Sequence, residues 1–188
     1  MFALTIDDET SVELLEEHHA EELFTAIDAN RTYLRRWLPW LDASRRAEDT
    51  RAFIRMSLQA FAARNGFACG LRHESRLVGG LGLHKIDWPN RATSIGYWIA
   101  EGAQGRGIVT RACAVLLEHV FGELGLNRVE VACATGNRRS CAIPERLGFT
   151  REGIRRESEW LYDHYVDLVV YSMLAGEWRK RRTRADSP

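Results

Sequence analysis

Hydrophobic residues recur along the chain with two spacings, one typical of strands and the other typical of helices. Alternating apolar residues between turn-forming residues predict strands at 2–6, 12–16, 67–72, 77–86, 93–99, 128–134, 150–156 and 165–174. Apolar residues three and four apart predict helices that begin near His18, cover 31–37, 49–64 and 137–147, and start at Ile108. This mixture predicts an α+β fold, with a mixed, mostly antiparallel central sheet, flanking helices and at least one βαβ crossover.

The composition indicates one domain without a secretory or membrane-spanning segment. The chain has 188 residues and a formal net charge of +0, and this length is enough for one buried core. No apolar stretch is long enough to span a membrane and no charged-then-apolar leader is present, so we predict a cytoplasmic protein. The four cysteines form no C-x-x-C pair and have no zinc-like spacing with histidine, which predicts reduced thiols and no metal site.

The chain ends in a basic segment, with five Lys or Arg residues between 179 and 184. We interpret 1–177 as a single domain and 178–188 as a basic, disordered tail. A charge run of this kind can approach RNA or an acidic partner. No aromatic residues alternate with the charges, so a solvated end is favoured and nucleic-acid binding is not expected.

The most informative stretch joins the predicted strand 93–99 to the helix that starts at Ile108. It reads Gln104-Gly105-Arg106-Gly107-Ile108-Val109-Thr110. A helix N-terminus offers unpaired N–H groups and a partial positive charge, and glycines there let an anion approach the backbone closely. The stretch therefore predicts a pyrophosphate site to which Arg106 and Thr110 add donors. A plain tight turn explains two glycines equally well.

Two better-known phosphate motifs do not match this chain. No Gly-Lys pair occurs in it, which excludes a Walker loop. A dinucleotide-binding fingerprint needs a third glycine three residues after the second, and position 110 is threonine. A dinucleotide-dependent oxidoreductase is therefore disfavoured.

The glycine stretch and its flanks resemble motif A of the GNAT-superfamily acyltransferases, whose pattern is Gln/Arg-x-x-Gly-x-Gly/Ala. Val109 departs from the small residue at the last place. Further segments resemble the RimJ/RimL-type ribosomal-protein N-terminal acetyltransferases: TYLRRWLPWLD, EDTRAFI, IGYWI, GNRRSCAIPERLGF and REGIRRESEWLYDHYVDLVVYSML. The resemblance covers roughly positions 10–175 and implies the GNAT-like acyl-CoA N-acyltransferase fold.

The resemblance implies acetyl-CoA, or another acyl-CoA, as a cosubstrate without a metal. The strand that ends at Ile99 would diverge from the strand 128–134, and pantetheine would lie in the opening and bond to the backbone near Trp98 and Ile99. The pyrophosphate would lie on the amides of 105–110, with Gln104 as a further cofactor-binding residue beside them. Asn137 would bond the pantetheine amide while capping its helix, although a plain N-cap explains this residue equally well.

The resemblance also implies catalytic roles. Many members of the superfamily carry a glutamate where this chain has Ser94, so a base must come from elsewhere, and Glu159 matches the glutamate that serves in the RimL-like branch. Ser140 matches the serine that polarises or protonates the leaving thiol. The alternatives are a solvated surface carboxylate and an ordinary helix-surface serine. Cys133 would lie beside the thiol, either as a buried core cysteine or as a partner for a mixed disulfide with CoA.

The acceptor is the part of the reaction that the residues define least. Trp37 and Trp40 belong to an apolar loop that resembles the acceptor-side wall of this branch; a plug over the sheet or a homodimer contact is the alternative. We predict that a protein N-terminal α-amine, as in ribosomal proteins, attacks the thioester directly. A small-amine acetyl- or succinyltransferase of the same fold and a non-catalytic CoA-binding sensor remain open.

Overall fold

Eight strands form one sheet in the computed structural model, which describes the backbone of residues 2–185 and the side chains of residues 2–183. The strands are β1 (Ala3–Asp7), β2 (Thr10–Leu14), β3 (Phe67–His73), β4 (Arg76–Leu83), β5 (Ala92–Ile99), β6 (Arg128–Ala134), β7 (Thr150–Leu161) and β8 (His164–Leu174). Their order is β1-β2-β3-β4-β5-β6-β8-β7. β5 and β6 are parallel, and the other neighbouring strands within the described chain are antiparallel. The predicted α+β class is therefore confirmed.

The helices alternate with the strands along the chain. They are α1 (Ala20–Ala29), α2 (Arg31–Leu34), α3 (Ala47–Ala62), α4 (Ile108–Gly122), α5 (Arg138–Leu147) and α6 (Ala175–Ala185). Helix α4 is the crossover between the parallel strands β5 and β6. Within residues 2–185, none of the helices combines the length and the apolar character that crossing a membrane requires.

Helices cover both faces of the sheet, because successive side chains of a strand point to opposite sides. On one face the apolar stripe of α4, including Leu116 and Val120, packs against strand residues such as Val129 in the larger core cluster. On the other face α1 and α3 form a second cluster that includes Leu23 and Ile54. The parallel pair β5–β6 lies near the middle of the sheet, so a site at that pair has walls on both sides.

The prediction of a disordered tail from residue 178 is wrong for residues 178–185, which continue helix α6. Trp178 is buried in the larger core cluster, and its indole N–H donates to Glu118 Oε1 on α4 at 2.8 Å. Arg182 also bonds to Glu118. One aromatic anchor therefore orders a helix whose composition is otherwise basic and polar. Residues 186–188 of the predicted tail lie outside the described residues.

The last hairpin is longer than the sequence pattern predicts. β7 continues to Leu161 instead of ending at residue 156, and the register between β7 and β8 shifts between Arg155 and Glu159. Glu157 within this irregularity has a positive φ of 45°. The extension is rich in charged residues and lacks strict alternation, so its period does not predict a strand. The hairpin carries Glu159 out to the end of β6.

Candidate active site

The central feature of the site is an opening between two parallel strands. β5 and β6 pair at three positions, Ala92 with Arg128, Thr93 with Val129 and Ser94 with Glu130. Beyond Ser94, β5 continues to Ile99 bonded to β4, and β6 continues to Ala134 bonded to β8. The described parts of the two strands thus diverge over their C-terminal halves. The edge of β5 that faces the opening keeps backbone groups available for a bound molecule.

A cavity of about 990 Å³ occupies this region and extends under α3. Six residues predicted for the site line it: Trp37, Trp40, Trp98, Asn137, Ser140 and Glu159. Cys133 lines it too, and all four cysteine thiols of the chain are free and buried. Ile99 and residues 104–110 are not among the lining residues. The predicted residues therefore fall into a cavity group and a turn group at the start of α4.

The turn group has the backbone geometry of an anion site. Gly105 and Gly107 have φ values of 77° and 71°, in the left-handed region that favours glycine. Gly107 is the N-cap of α4, so the first amides of that helix lack carbonyl partners within it. Nothing lies within 4 Å of where a Cβ of Gly105 would be. The amides and the positive end of the helix can therefore accept a phosphate group.

Polar side chains tie this turn to its neighbours. Gln104 donates from its side-chain amide to the Tyr33 hydroxyl and accepts from Arg139 at the start of α5. Arg106 lies 3.4 Å from His73 Nε2, and both Arg106 and Arg139 are exposed. Two guanidinium groups therefore stand at the surface around the glycine turn. Cations at this position add attraction for an anionic ligand.

At the mouth of the opening, Ser140 lies in a small hydrogen-bonded group. Asn137 caps α5 by accepting from the Ser140 N–H at 3.2 Å. The Ser140 hydroxyl donates to Cys133 Sγ at 3.1 Å and lies 3.3 Å from the Tyr97 hydroxyl. Burial is the largest cause that raises the pKa of Tyr97, and burial likewise raises the pKa of Cys133 to about 11. Both groups are therefore protonated at neutral pH, and this leaves Ser140 surrounded by neutral neighbours.

Glu159 is a half-buried carboxyl group on β7 that faces the cavity. Among the described residues, none forms a hydrogen bond or an ion pair with its carboxylate. Burial raises its pKa, with no other cause acting on it. A carboxylate in this setting is a better proton acceptor than a fully solvated one.

The tryptophan loop between α2 and α3 is held over the cavity by the last hairpin. The Tyr162 hydroxyl donates to the Leu38 carbonyl oxygen, and the Arg35 guanidinium stacks 3.7 Å from the centre of the Tyr162 ring. Trp37 packs near Gly136 on the opposite side of the cavity, within 3.6 Å of where a Cβ would be. The loop therefore contacts the last hairpin, which carries Glu159, and the turn before α5, the helix that carries Ser140. It forms one wall of the cavity between them.

The cavity lining includes residues to which the sequence assigns no role of their own, Tyr97 and His84 among them. Tyr97 lies in a predicted strand, and its partner Ser140 is distant in the chain. His84 also lines the cavity, where its Nδ1 lies 2.9 Å from Ser94 Oγ. Burial lowers the pKa of His84. The presence of Ser94 at the position where many GNAT proteins have glutamate was the one sequence signal that could have drawn attention to this pair.

The chain belongs to the GNAT acetyltransferase family: residues 12–150 match the family model described as Acetyltransferase (GNAT) domain. This finding confirms the resemblance inferred from the sequence, and the protein is an N-acetyltransferase.

Similar proteins indicate which branch of the family the chain resembles. A Bacillus subtilis (strain 168) protein provisionally named ribosomal N-acetyltransferase YdaF is 38% identical over 179 residues, covering 95% of this chain and 98% of the relative. Ribosomal-protein-serine acetyltransferase of Escherichia coli (strain K12) is 30% identical over 172 residues, covering 90% and 96%. The crystal structure of the microcin C7 self immunity acetyltransferase MccE, in complex with acetyl-CoA and AMP, is 28% identical with a TM-score of 0.86, covering 90% and 94%. The chain is thus similar over nearly its whole length to enzymes of the ribosomal-protein type.

Proposed function

We propose that the protein transfers an acetyl group from acetyl-CoA to the N-terminal α-amine of a protein, by direct attack and without a covalent enzyme intermediate. The observation that carries this proposal is the divergence of β5 and β6 next to a helix start with bare amides. An elongated cosubstrate with a phosphate end and a thioester end fits such a pair of features. The acetyl-CoA complex of the similar enzyme MccE supports the choice of cosubstrate.

In this proposal each part of acetyl-CoA has a defined place. The pyrophosphate lies on the amides of Gly105 to Thr110, with Arg106 beside it. Pantetheine runs along the free edge of β5 and bonds to the backbone near Trp98 and Ile99. Asn137 has a second function beside its cap, as a hydrogen-bond partner of the pantetheine amide. The thioester then lies near Ser140 and Cys133.

The chemistry requires one proton acceptor and one hydrogen-bond donor. The neutral amine attacks the thioester carbonyl, a C–N bond forms, and Glu159 accepts the proton that the nitrogen loses. The C–S bond then breaks, the Ser140 hydroxyl donates a hydrogen bond to the departing thiolate, and the sulfur takes up its proton from solvent. A free thiol has a pKa of about 8.5, so the thiolate is a good leaving group that a hydrogen bond is enough to stabilise.

The protein N-terminus is favoured as acceptor by the names of two relatives, which refer to ribosomal proteins. The cavity also provides room beyond the thioester, and Trp37 and Trp40 form one of its walls. A wall of large apolar side chains suits a peptide segment better than a compact polar amine.

The test is thiol release from acetyl-CoA in the presence of peptides that differ in their first residue. Turnover that favours particular first residues would support the proposal. Turnover with small amines such as amino acid amides or polyamines, but with none of the peptides, would contradict the protein acceptor. Binding of CoA without turnover of any acceptor would favour a sensor over an enzyme that acts on amines.

A further inference from the structure

The hydroxyl of Tyr97 connects the two sides of the opening. Tyr97 belongs to β5, whereas Ser140 lies in the first turn of α5, which follows β6. The Tyr97 hydroxyl donates to the Ser140 carbonyl oxygen at 2.9 Å. This bond lies beyond Ser94 and Glu130, where the backbone pairing of β5 with β6 ends. It therefore joins the two elements that border the opening after their strands have separated.

The Ser140 carbonyl is available for this bond because of a proline one turn further along α5. In an α-helix the N–H of residue i bonds to the carbonyl of residue i−4, so Ser140 would normally accept from residue 144. That residue is Pro144, which has no N–H and whose ring crowds the carbonyl four residues earlier. A carbonyl without its helical partner needs another donor. Tyr97 supplies one from the neighbouring strand.

The same bond determines where the nearby protons point. The single proton of Tyr97 goes to the carbonyl, so the Tyr97 oxygen is an acceptor, and not a donor, towards Ser140 Oγ at 3.3 Å and Cys133 Sγ at 3.7 Å. The other acceptor for Ser140 is Cys133 Sγ at 3.1 Å, and a thiol sulfur is a weak acceptor. The acceptors of the Ser140 proton are therefore a thiol sulfur and a hydroxyl oxygen 3.3 Å away, both neutral, and the charged departing thiolate is a stronger acceptor that would replace them.

We propose that Tyr97 is a positioning residue: its hydroxyl, bound to the carbonyl that Pro144 leaves free, fixes Ser140 where it can donate a hydrogen bond to the departing thiolate. This inference rests on the proposed role of Ser140. As the C–S bond breaks, the Ser140 hydroxyl keeps its proton and points it at the sulfur, which is then protonated by solvent. Tyr97 keeps its own proton throughout.

The bond itself is tested by a double-mutant cycle in urea unfolding. Tyr97→Phe should lower the urea midpoint in the wild-type background. Pro144→Ala restores an N–H at residue 144, so Tyr97→Phe should lower the midpoint less in that background. Tyr165→Phe, which removes an exposed hydroxyl from the outer part of the last hairpin, is the matched control and should leave the midpoint unchanged. Equal losses in the two backgrounds would overturn the link between Tyr97 and Pro144.

The functional consequence is tested by kinetics with the fastest acceptor from a panel of peptides and small amines. Tyr97→Phe should lower kcat about ten-fold, as expected for losing one net hydrogen bond, while KM for acetyl-CoA stays within about two-fold. In a Ser140→Ala background the same change should have no further effect on kcat.

The kinetic results distinguish a failure of the role of Tyr97 from a failure of the proposed function. An equal loss of kcat in the Ser140→Ala background would show that Tyr97 acts independently of Ser140, and the inference would be wrong. An unchanged kcat in Ser140→Ala alone would remove Ser140 from the proposed function and would remove the positioning role of Tyr97 with it. The urea cycle would still test the hydrogen bond between Tyr97 and the Ser140 carbonyl. Absence of turnover with every acceptor would overturn both the proposed function and the positioning role of Tyr97.

Discussion

Glu159 is the residue whose surroundings best suit a proton acceptor. It is half-buried in the cavity wall, and within the described chain no cation or hydrogen-bond donor stabilises its charge. Burial alone raises its pKa. A salt-bridged carboxylate such as Glu152 provides the contrast: bonded to Arg128 and Ser172, it has a pKa lowered to about 2. The two glutamates lie on the same strand, and their partners decide which of them can take up a proton.

Glu159→Gln should lower turnover by about 10²–10⁴-fold while CoA affinity stays nearly unchanged, since a positioned general base contributes about that much. Calorimetry with CoA and thiol-release kinetics separate the two effects. Glu157→Gln, two residues away and exposed, is the matched control and should retain turnover. Full activity of the Glu159 variant at neutral pH would remove this residue from the mechanism.

The pH dependence of the wild-type enzyme follows from the same carboxyl group. The pKa of Glu159 in the folded protein lies above its value in the unfolded chain, so folding disfavours the charged form. The stability of the fold therefore falls as pH rises from the unfolded pKa through the folded pKa. Glu159→Gln should therefore not destabilise the protein at neutral pH. The wild-type kcat should fall on the acid side at a pH above the usual range of glutamate, about 4.3, and the variant should lack this limb.

The roles of individual residues are the feature of this protein that its sequence predicts least. The role of Tyr97 depends on Ser140 and Pro144. Both residues lie in the helix that follows β6, and they come close to Tyr97 only in the folded protein. No local pattern reveals such a pair. By contrast, Asn137 as a helix cap was predictable, because a cap and the N–H it bonds are only three residues apart.

At the scale of elements, the glycine turn and helix α4 act as one unit. Gly107 has a φ of 71°, and a Cβ there would lie 3.1 Å from the Arg111 guanidinium, which also pairs with Asp7 at 3.1 Å. A side chain at this position would strain the turn and displace a cation from the helix start. The geometry of the turn, and not its sequence alone, therefore limits position 107 to glycine.

Gly107→Glu should abolish CoA binding, because it strains the turn and places a carboxylate against the proposed pyrophosphate site. Calorimetric titration with CoA measures the effect. Gly122→Glu adds the same charge at the opposite end of α4, about 20 Å away by helix rise, where nothing lies within 4 Å of a Cβ. This control should retain CoA affinity. Normal affinity in the Gly107 variant would show that the phosphates bind elsewhere.

Elements with a clear hydrophobic period were predictable, and those without one were not. The stripe of α4, with Ala112 and Leu116 fully buried, follows directly from the spacing of apolar residues. The outer part of β7 carries charges on both faces because the hairpin extends beyond the sheet core, so alternation disappears. Helix α6 has no apolar period to predict it, since among its described side chains Ala175 and Trp178, both near its start, are the ones that enter the core.

At the scale of the whole molecule, α6 adds stability to the larger core. Trp178→Ala should lower the free energy of unfolding by about 3 kcal/mol, because it empties a buried site and leaves Glu118 without its indole donor. Urea unfolding measures the loss. Arg182→Ala removes only an exposed ion pair to the same glutamate and should cost less than about 1 kcal/mol. Equal losses would mean that charge, and not burial, anchors the helix.

The divergence of β5 from β6 also has a consequence for the exchange of backbone amide hydrogens with solvent deuterium. The Ala100 N–H bonds to Val78 on β4, so by the two-residue period the amides of Gly96 and Trp98 also face β4. Those of Tyr97 and Ile99 face the opening. They should exchange rapidly in the free protein and slow down when CoA is added, whereas Gly96 and Trp98 should exchange slowly in both states. Alternate residues of one strand would thus record cosubstrate binding while their neighbours record the integrity of the sheet.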